Sequence, residues 1–217
     1  MNKKLLCPSM MCCDFGKLQQ EVTALEEAGV DIFHCDIMDG NFVQNMALAS
    51  NDIKALRSLT EQPIDIHLMI DNPGQKIDWF VDLGADIIYI HPEAERYVSK
   101  TLRYIRSKGK MPGLALNPDT SIESVYEMLK ACDYVLVMTV DPGFAGQQFI
   151  DTTVEKIKAL VKLKEAFHFK IIIDGSCSVE VIQKLSAIGA DGFVLGTSAL
   201  FGKNRPYSEI IKELRAL

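Results

Sequence analysis

Four side chains in this sequence have the types and the spacing to hold a metal ion and move a proton: His34, Asp36, His67 and Asp174. The segment Phe33-His-Cys-Asp-Ile-Met38 reads as a β-strand, in which side chains alternate between faces. His34, Asp36 and Met38 then share one face and Cys35 takes the other. Ile64–Met69 repeats the arrangement with His67 and Met69 together, and Ile171-Ile-Ile-Asp174 ends an apolar run on a carboxylate. Imidazole nitrogens and carboxylate oxygens make a mixed donor set that suits Zn²⁺, Mn²⁺, Fe²⁺ or Co²⁺. An ionised carboxylate among apolar neighbours costs several kcal/mol unless it is paired, so a cation is a natural partner for Asp36 and Asp174. Singly, each residue has a blander reading: a strand histidine is usually a satisfied structural group, and a strand-end aspartate often caps the next helix. The shared alternation and the shared strand end favour the joint reading.

The elements that position these residues follow from a short repeat. Gly29-Val-Asp-Ile32, Gly84-Ala-Asp-Ile87 and Gly189-Ala-Asp-Gly192 each follow a helical stretch and precede an apolar run. Glycine is favoured just past a helix C-terminus because it accepts positive φ, so the pattern marks helix-to-strand joints. The glycines lie 55 and 105 residues apart, two and four units of roughly 27 residues, a length that suits one strand–helix pair. A chain of 217 residues then holds about eight units, the count of a closed (β/α)8 barrel, read as a single α/β domain over 1–217. Strands are predicted at 5–9, 32–38, 64–69, 87–91, 113–116, 134–140, 170–174 and 192–196. The near-continuous apolar runs among them suit strands covered on both faces. Helical periodicity lies between them, and Thr120-x-x-Glu123 and Thr152-x-x-Glu155 read as capping boxes. An open doubly wound sheet is the alternative. In the barrel, Ser9, His34, Asp36, His67, His91, Asn117, Asp141 and Asp174 all fall where strands run into their C-terminal loops, the end that carries chemistry.

Three consecutive turns at that end are glycine-rich: Asp141-Pro-Gly-Phe-Ala-Gly-Gln147, Gly175-Ser176 and Gly196-Thr-Ser198. Loops after the last strands of such barrels cradle phosphate with backbone N–H groups and need no lysine. A net charge of −6 argues against a nucleic-acid or anionic-membrane surface, so an anionic substrate needs this local help. The six cysteines show no C-x-x-C pair and read as reduced cytosolic thiols. Lys3-Lys4 and the following apolar residues are interrupted by Pro8 and Asp14 and read as a first strand rather than a secretory signal. No apolar run approaches the ~20 residues of a membrane helix. His91, before Pro92, reads as a strand terminus, His168 as an exposed helix end, and the methionines mainly as packing.

His34-Cys-Asp-Ile-Met-Asp-Gly-Asn-Phe-Val43, His67-Leu-Met69, Met138-Thr-Val-Asp-Pro-Gly-Phe-Ala-Gly-Gln147 and Asp174-Gly175 resemble the ribulose-phosphate 3-epimerase family, over nearly the whole chain from Pro8-Ser9 to Ser198. The resemblance implies a TIM barrel of the ribulose-phosphate-binding type and a metal-dependent epimerase inverting C3 of a ketose phosphate through an enediolate, with no organic cofactor. It implies His34, Asp36, His67 and Asp174 as ligands of one divalent metal, with Asp36 and Asp174 doubling as base and acid. Substrate would be bound by Ser9, Met38, His67 and Met69, and its phosphate by Gly143, Phe144, Ala145, Gly146, Gly175, Ser176, Gly196, Thr197 and Ser198. Met38, Met69 and Met138 would form an apolar lid. A small phosphorylated ketose is the expected partner, in a cytoplasmic homo-oligomer without nucleic acid or membrane. Within the family, Thr139, Asp141, Ala145, Asp174-Gly-Ser-Cys177 and His91-Pro-Glu93 resemble the D-allulose-6-phosphate 3-epimerases more than the pentulose enzymes. D-allulose 6-phosphate is therefore the expected substrate and D-ribulose 5-phosphate the alternative. Gln44 stands where the family normally has proline, in a loop bordering the site. The competing readings are a metal-assisted lyase or decarboxylase, which would bring a lysine to the reacting carbon, and a non-catalytic sugar-phosphate-binding barrel.

Overall fold

The computed structural model describes residues 3–217, among which eight parallel strands alternate with eight α-helices. They run β1 Leu5–Pro8, α1 Leu18–Ala28, β2 Phe33–Met38, α2 Ser50–Arg57, β3 Ile64–Met69, α3 Ile77–Asp82, β4 Ile87–Ile90, α4 Val98–Ser107, β5 Met111–Leu116, α5 Ile122–Leu129, β6 Tyr134–Met138, α6 Thr153–Phe167, β7 Lys170–Asp174, α7 Val179–Ile188, β8 Gly192–Leu195 and α8 Tyr207–Ala216. Each strand from β2 to β7 pairs with its successor, and β1 pairs with β8. The seam between β1 and β2 is drawn together by a parallel bridge of Ser9 with His34 and by the Asp31 N–H, which donates to the Leu6 carbonyl at 3.0 Å. The sheet is thus a barrel rather than an open doubly wound sheet. Strand ends shift slightly from expectation: β5 begins at Met111 and β6 ends at Met138.

Alternation divides the apolar residues into two populations. Outward-facing Phe33, Cys35, Ile64, Ile66, Leu68, Ile171 and Ile173 pack with Val22, Leu25, Ile53, Ile157 and Ile182 of the helices in one large core. Inward-facing Cys7, Ile87, Tyr89, Tyr134, Leu136 and Ile172 fill the barrel itself. Gly113 makes room there, since a Cβ on it would lie 2.2 Å from the Tyr89 ring. The barrel is therefore plugged by apolar side chains at its lower end, and polar groups collect above the plug.

The recurring Gly-x-Asp joint performs one task three times. Gly29, Gly84 and Gly189 all have positive φ (85°, 90° and 118°). The aspartate two residues on then receives an N–H from the start of a neighbouring strand: Asp31 from Leu6 at 2.8 Å, Asp86 from Ile64 at 3.0 Å and Asp191 from Ile171 at 2.8 Å. A cation closes each joint, Arg215 on Asp31, Arg57 on Asp86 and Lys164 on Asp191.

The expected capping boxes do not form. Ser121, extended at φ −78° and ψ 150°, caps α5 by accepting from the Ser124 N–H, while the Thr120 hydroxyl donates to Glu93. Thr152 already has helical angles (φ −61°, ψ −23°), so its hydroxyl is turned away from the first-turn N–H groups and makes no cap.

Candidate active site

The register of β2 against β3 stacks three inward-facing pairs: His34 opposite Asp65, Asp36 opposite His67, and Met38 opposite Met69. Asp174 ends β7 on the far side of the barrel, opposite Met138 in the ladder with β6. His34 and His67 are fully buried and Asp36 is 4% exposed. His34 Nε2 lies 3.2 Å from Asp36 Oδ1 and 3.7 Å from Asp174 Oδ2. His67 Nδ1 lies 3.2 Å from Asp36 Oδ1 and 3.5 Å from Asp174 Oδ2. Donors held tetrahedrally at about 2.1 Å from one ion lie about 3.4 Å apart, and all four donors here fall within 4.8 Å of one another. The four residues read from sequence thus have the spacing and chemistry for a single divalent cation.

Electrostatics point the same way. Burial would push the Asp36 carboxyl up, but His34 and His67 against it outweigh burial and hold it well below the ordinary carboxylate range. Burial would lower the imidazole of His34, yet Asp65 and Asp36 raise it; for His67, Asp174 and Asp36 do the same. These carboxylates draw positive charge into the site. Among the described residues no lysine or arginine lines the cavity above them to supply it.

That cavity is walled by Ser9, Met38, Met69 and Met138, by Gly143 to Gly146, by Gly175-Ser176 and by Gly196 to Ser198, with Asp36 and Asp174 at its floor. Ser9 donates its hydroxyl to Asp36 Oδ2 at 2.8 Å. Gly175 has φ 115°, and a Cβ there would lie 2.9 Å from the Val140 backbone nitrogen, so only glycine fits this rim. Thr139 is buried and spends its hydroxyl on the Gly175 carbonyl at 2.6 Å, fixing the rim from behind. Asn45 ties the loop after β2 to the Gly-rich loop after β6 by donating to the Gly143 carbonyl at 2.6 Å. Met38, Met69 and Val43 form an apolar cluster joined by Met11, Phe42 and Ala47.

Of the lower-ranked residues, His168 is exposed at the end of α6 and Met10 is core. Asn117 keeps its carbonyl on Lys156 and does not line the cavity. All six cysteines are free, and burial pushes the Cys177 thiol up. His91 is a correction: rather than a mere strand terminus it is fully buried, with Nε2 2.8 Å from His67 Nε2 and its ring 5.0 Å from that of Phe42. Sequence reading missed Asp65 altogether. The signal was present, because the alternation that aligns His34 with Asp36 also aligns Asp65 with His67. Met11 and Cys12, from the turn after β1, also line the cavity.

A profile of the ribulose-phosphate 3-epimerase family matches residues 5–201. The chain is 38% identical over 216 residues to the chloroplastic ribulose-5-phosphate-3-epimerase of Arabidopsis thaliana, covering 98% of this chain and 76% of that one. It is 37% identical over 201 residues to the ribulose-phosphate 3-epimerase of Aquifex aeolicus, covering 92% and 90% of the two chains. For the Escherichia coli ribulose-phosphate 3-epimerase the identity is 35% over 219 residues, covering 100% and 96%. Among solved structures, a 3-hexulose-6-phosphate synthase superposes with a TM-score of 0.69 at 17% identity over 98% of both chains. A thiamine phosphate pyrophosphorylase from Pyrococcus furiosus gives 0.63 at 19% identity over 98% and 94%. These two likenesses speak for the barrel alone. With its sequence matched across almost its full length, the chain belongs to the ribulose-phosphate 3-epimerase family and is an isomerase, a ketose-phosphate 3-epimerase.

Proposed function

We propose that this enzyme interconverts D-ribulose 5-phosphate and its C3 epimer, D-xylulose 5-phosphate, with Asp36 and Asp174 as the proton-transferring pair. The observation that carries the reaction type is the convergence of Asp36 and Asp174, from β2 and β7, on the floor of a cavity rimmed by glycine-rich turns. The choice of sugar is supported by the relatives, which are named as ribulose-phosphate enzymes and match 92–100% of this chain. They favour the pentulose over the hexulose expected from sequence details. One of those details, Thr139, is buried against backbone carbonyls rather than exposed to a substrate.

A hydrogen on the carbon beside a ketone is weakly acidic, and its removal builds charge on the carbonyl oxygen. His34, Asp36, His67 and Asp174 would hold a divalent metal, which when bound supplies Lewis-acid stabilisation of that charge. Inversion needs a base on one face of C3 and an acid on the other. Asp36 takes the proton in one direction while Asp174 delivers one to the opposite face, and the roles exchange in reverse. Ser9 orients the Asp36 carboxylate through its hydroxyl. Met38, Met69 and Met138 cover the planar enediolate and keep water from it. The backbone N–H groups of the loops at Gly143 to Gly146, Gly175-Ser176 and Gly196 to Ser198 bind the phosphate. The lyase reading lacks its lysine: Lys156 is engaged by the carbonyls of Asn117 and Pro118 at 2.5 and 2.8 Å and does not line the cavity. A non-catalytic barrel would have no need of both carboxylates. Homo-oligomeric assembly in the cytoplasm belongs to the same reading.

The test is a side-by-side assay of D-ribulose 5-phosphate and D-allulose 6-phosphate in deuterated water. We expect the higher kcat/KM on the pentulose, with deuterium entering C3 and no carbon–carbon cleavage. A preference for the hexulose would overturn the sugar and leave the mechanism, whereas cleavage products would overturn the mechanism.

A further inference from the structure

The two histidines of the cluster turn opposite nitrogens toward it. His34 presents Nε2 and His67 presents Nδ1 to the same pair of carboxylates, Asp36 and Asp174. Each remaining nitrogen meets a second buried polar side chain that plays no part in the mechanism above. His34 Nδ1 lies 2.6 Å from Asp65 Oδ1, an approach bent away from the N–H axis. His67 Nε2 lies 2.8 Å from His91 Nε2. Asp65 and His91 are both fully buried.

Neither is an ordinary core residue. Asp65 points into the barrel just above the apolar plug, where an aspartate is among the costliest residues to place. No lysine or arginine among the described residues pairs with it, and neither of its oxygens has a well-aligned hydrogen-bond partner, the 2.6 Å approach of His34 Nδ1 to Oδ1 being its one close polar contact. His91 Nδ1 is likewise without a hydrogen-bond partner, the nearest carboxylate being Glu93 Oε2 at 3.8 Å. Structural economy would fill both positions with apolar side chains. What the two share is a ring nitrogen of a cluster histidine within contact.

We infer that Asp65 and His91 are positioning residues that fix which nitrogen each cluster histidine offers to a metal: Nε2 from His34 and Nδ1 from His67. A neutral imidazole carries one proton, and the group that accepts it decides which nitrogen keeps a free lone pair. Asp65, as an acceptor, keeps the His34 proton on Nδ1 and frees Nε2. His91 Nε2 accepts from His67 Nε2–H and frees Nδ1, which places the proton of His91 itself on its own Nδ1. The register delivers this arrangement, because β2 against β3 sets Asp65 beside His34 and His67 beside Asp36, and β4 brings His91 up on the other side of His67. A carboxylate behind an imidazole ligand also makes that ligand more basic and typically accounts for about 10–100-fold of metal affinity.

This inference rests on the metal reading given above, and its test separates the two. The direct measurement is the ¹⁵N imidazole spectrum of the zinc-loaded protein. The expected pattern is Nδ1–H with Nε2 bound at His34, and Nε2–H with Nδ1 bound at His67. The same nitrogen bound in both residues would overturn the assignment. Zinc affinity is then compared among the unmodified chain, Asp65→Asn, Asp65→Leu and His91→Leu by competition with a chromogenic chelator. Asp65→Asn, which keeps an oxygen acceptor, should lose about tenfold and Asp65→Leu about 100-fold. His91→Leu should weaken binding by about tenfold and mix the His67 tautomers. Metal-free thermal midpoints that stay level while affinity falls would separate positioning from a general loss of structure. Unchanged affinity in all three variants, with tight binding by the unmodified chain, would overturn this inference and spare the metal. Failure of the unmodified chain to bind zinc would overturn both.

Discussion

The two ends of this barrel use the same residue for opposite purposes. At the lower end, Asp31, Asp86 and Asp191 each accept a strand N–H and each has an arginine or lysine against it. At the upper end, among the described residues, the Asp36 carboxylate meets only imidazoles and a serine hydroxyl, and that of Asp174 is reached by imidazole nitrogens alone at 3.5 and 3.7 Å. A carboxylate whose charge is matched within the protein is a structural fastener. One whose partners are titratable and too few retains its demand for a cation and its capacity to exchange a proton. The contrast lies in the partners, because all five are the same side chain set in or beside a strand.

The strongest way to break that contrast is to neutralise the upper end. Asp36→Asn and Asp174→Asn keep shape and remove the ionisable oxygen to which the proposal gives proton transfer. Each should lower kcat on the order of 10³-fold or more, within or beyond the usual contribution of a general acid or base, with a thermal midpoint close to that of the unmodified protein. Steady-state kinetics beside thermal unfolding check this, and near-normal turnover in either variant would sink the two-aspartate mechanism. The mirror experiment is Asp31→Ala, which leaves the Leu6 N–H and Arg215 short of a partner. Its expected cost is about 1–3 kcal/mol of stability, with kcat/KM within about twofold of normal once the sample is fully folded. Urea denaturation and an assay on the folded fraction separate the two effects. A selective loss of kcat would show that the ends are coupled.

How far sequence reading reached follows the same division. The lower-end joints announced themselves by repetition, so the element count and the barrel could be read from Gly29, Gly84 and Gly189. The upper-end cluster was legible because alternation is local: residues 34 and 36 share a face whatever the rest of the chain does. Asp65 obeyed the same rule and was passed over. Its meaning depends on the lateral register with β2, which two separate strand segments do not reveal. His91 was hidden for a related reason, since only the β3–β4 neighbourhood shows that it backs His67. The capping boxes failed because the spacing of Thr120 and Thr152 says nothing of backbone angles, and Ser121 had the extended conformation a cap requires. Thr139, one of the residues read for the sugar, is spent on the loop backbone, so its type carries little information about a substrate.

The smallest effect sharpens the contrast through pH. In the metal-free protein, burial would lower the His34 and His67 imidazoles, but the surrounding carboxylates raise both above the ordinary histidine value. A group raised on folding contributes stability that is complete below its unfolded value, about 6.5, and is lost as pH climbs through the folded one. His91 is shifted the other way, by burial and then by the charge on His67, so its effect falls below that value and leaves the window above it clear. Between pH of about 6.5 and about 8, short of ordinary thiol titration, the thermal midpoint of the metal-free protein should therefore decline by a few degrees, on the order of 2–4 °C. Zinc reverses the sign. Its ligands must give up their protons to bind it, so the stabilisation by a fixed zinc concentration should grow over the same interval. Thermal scans of both forms across that window check the crossing. Asp31→Ala should shift both curves down without changing either slope, because its missing carboxylate sits at the end of the barrel that holds its own cation. Parallel slopes for the metal-free and zinc-bound forms of the unmodified protein would mean that the upper-end imidazoles already carry their charge as fasteners, and the distinction between the two ends would fall.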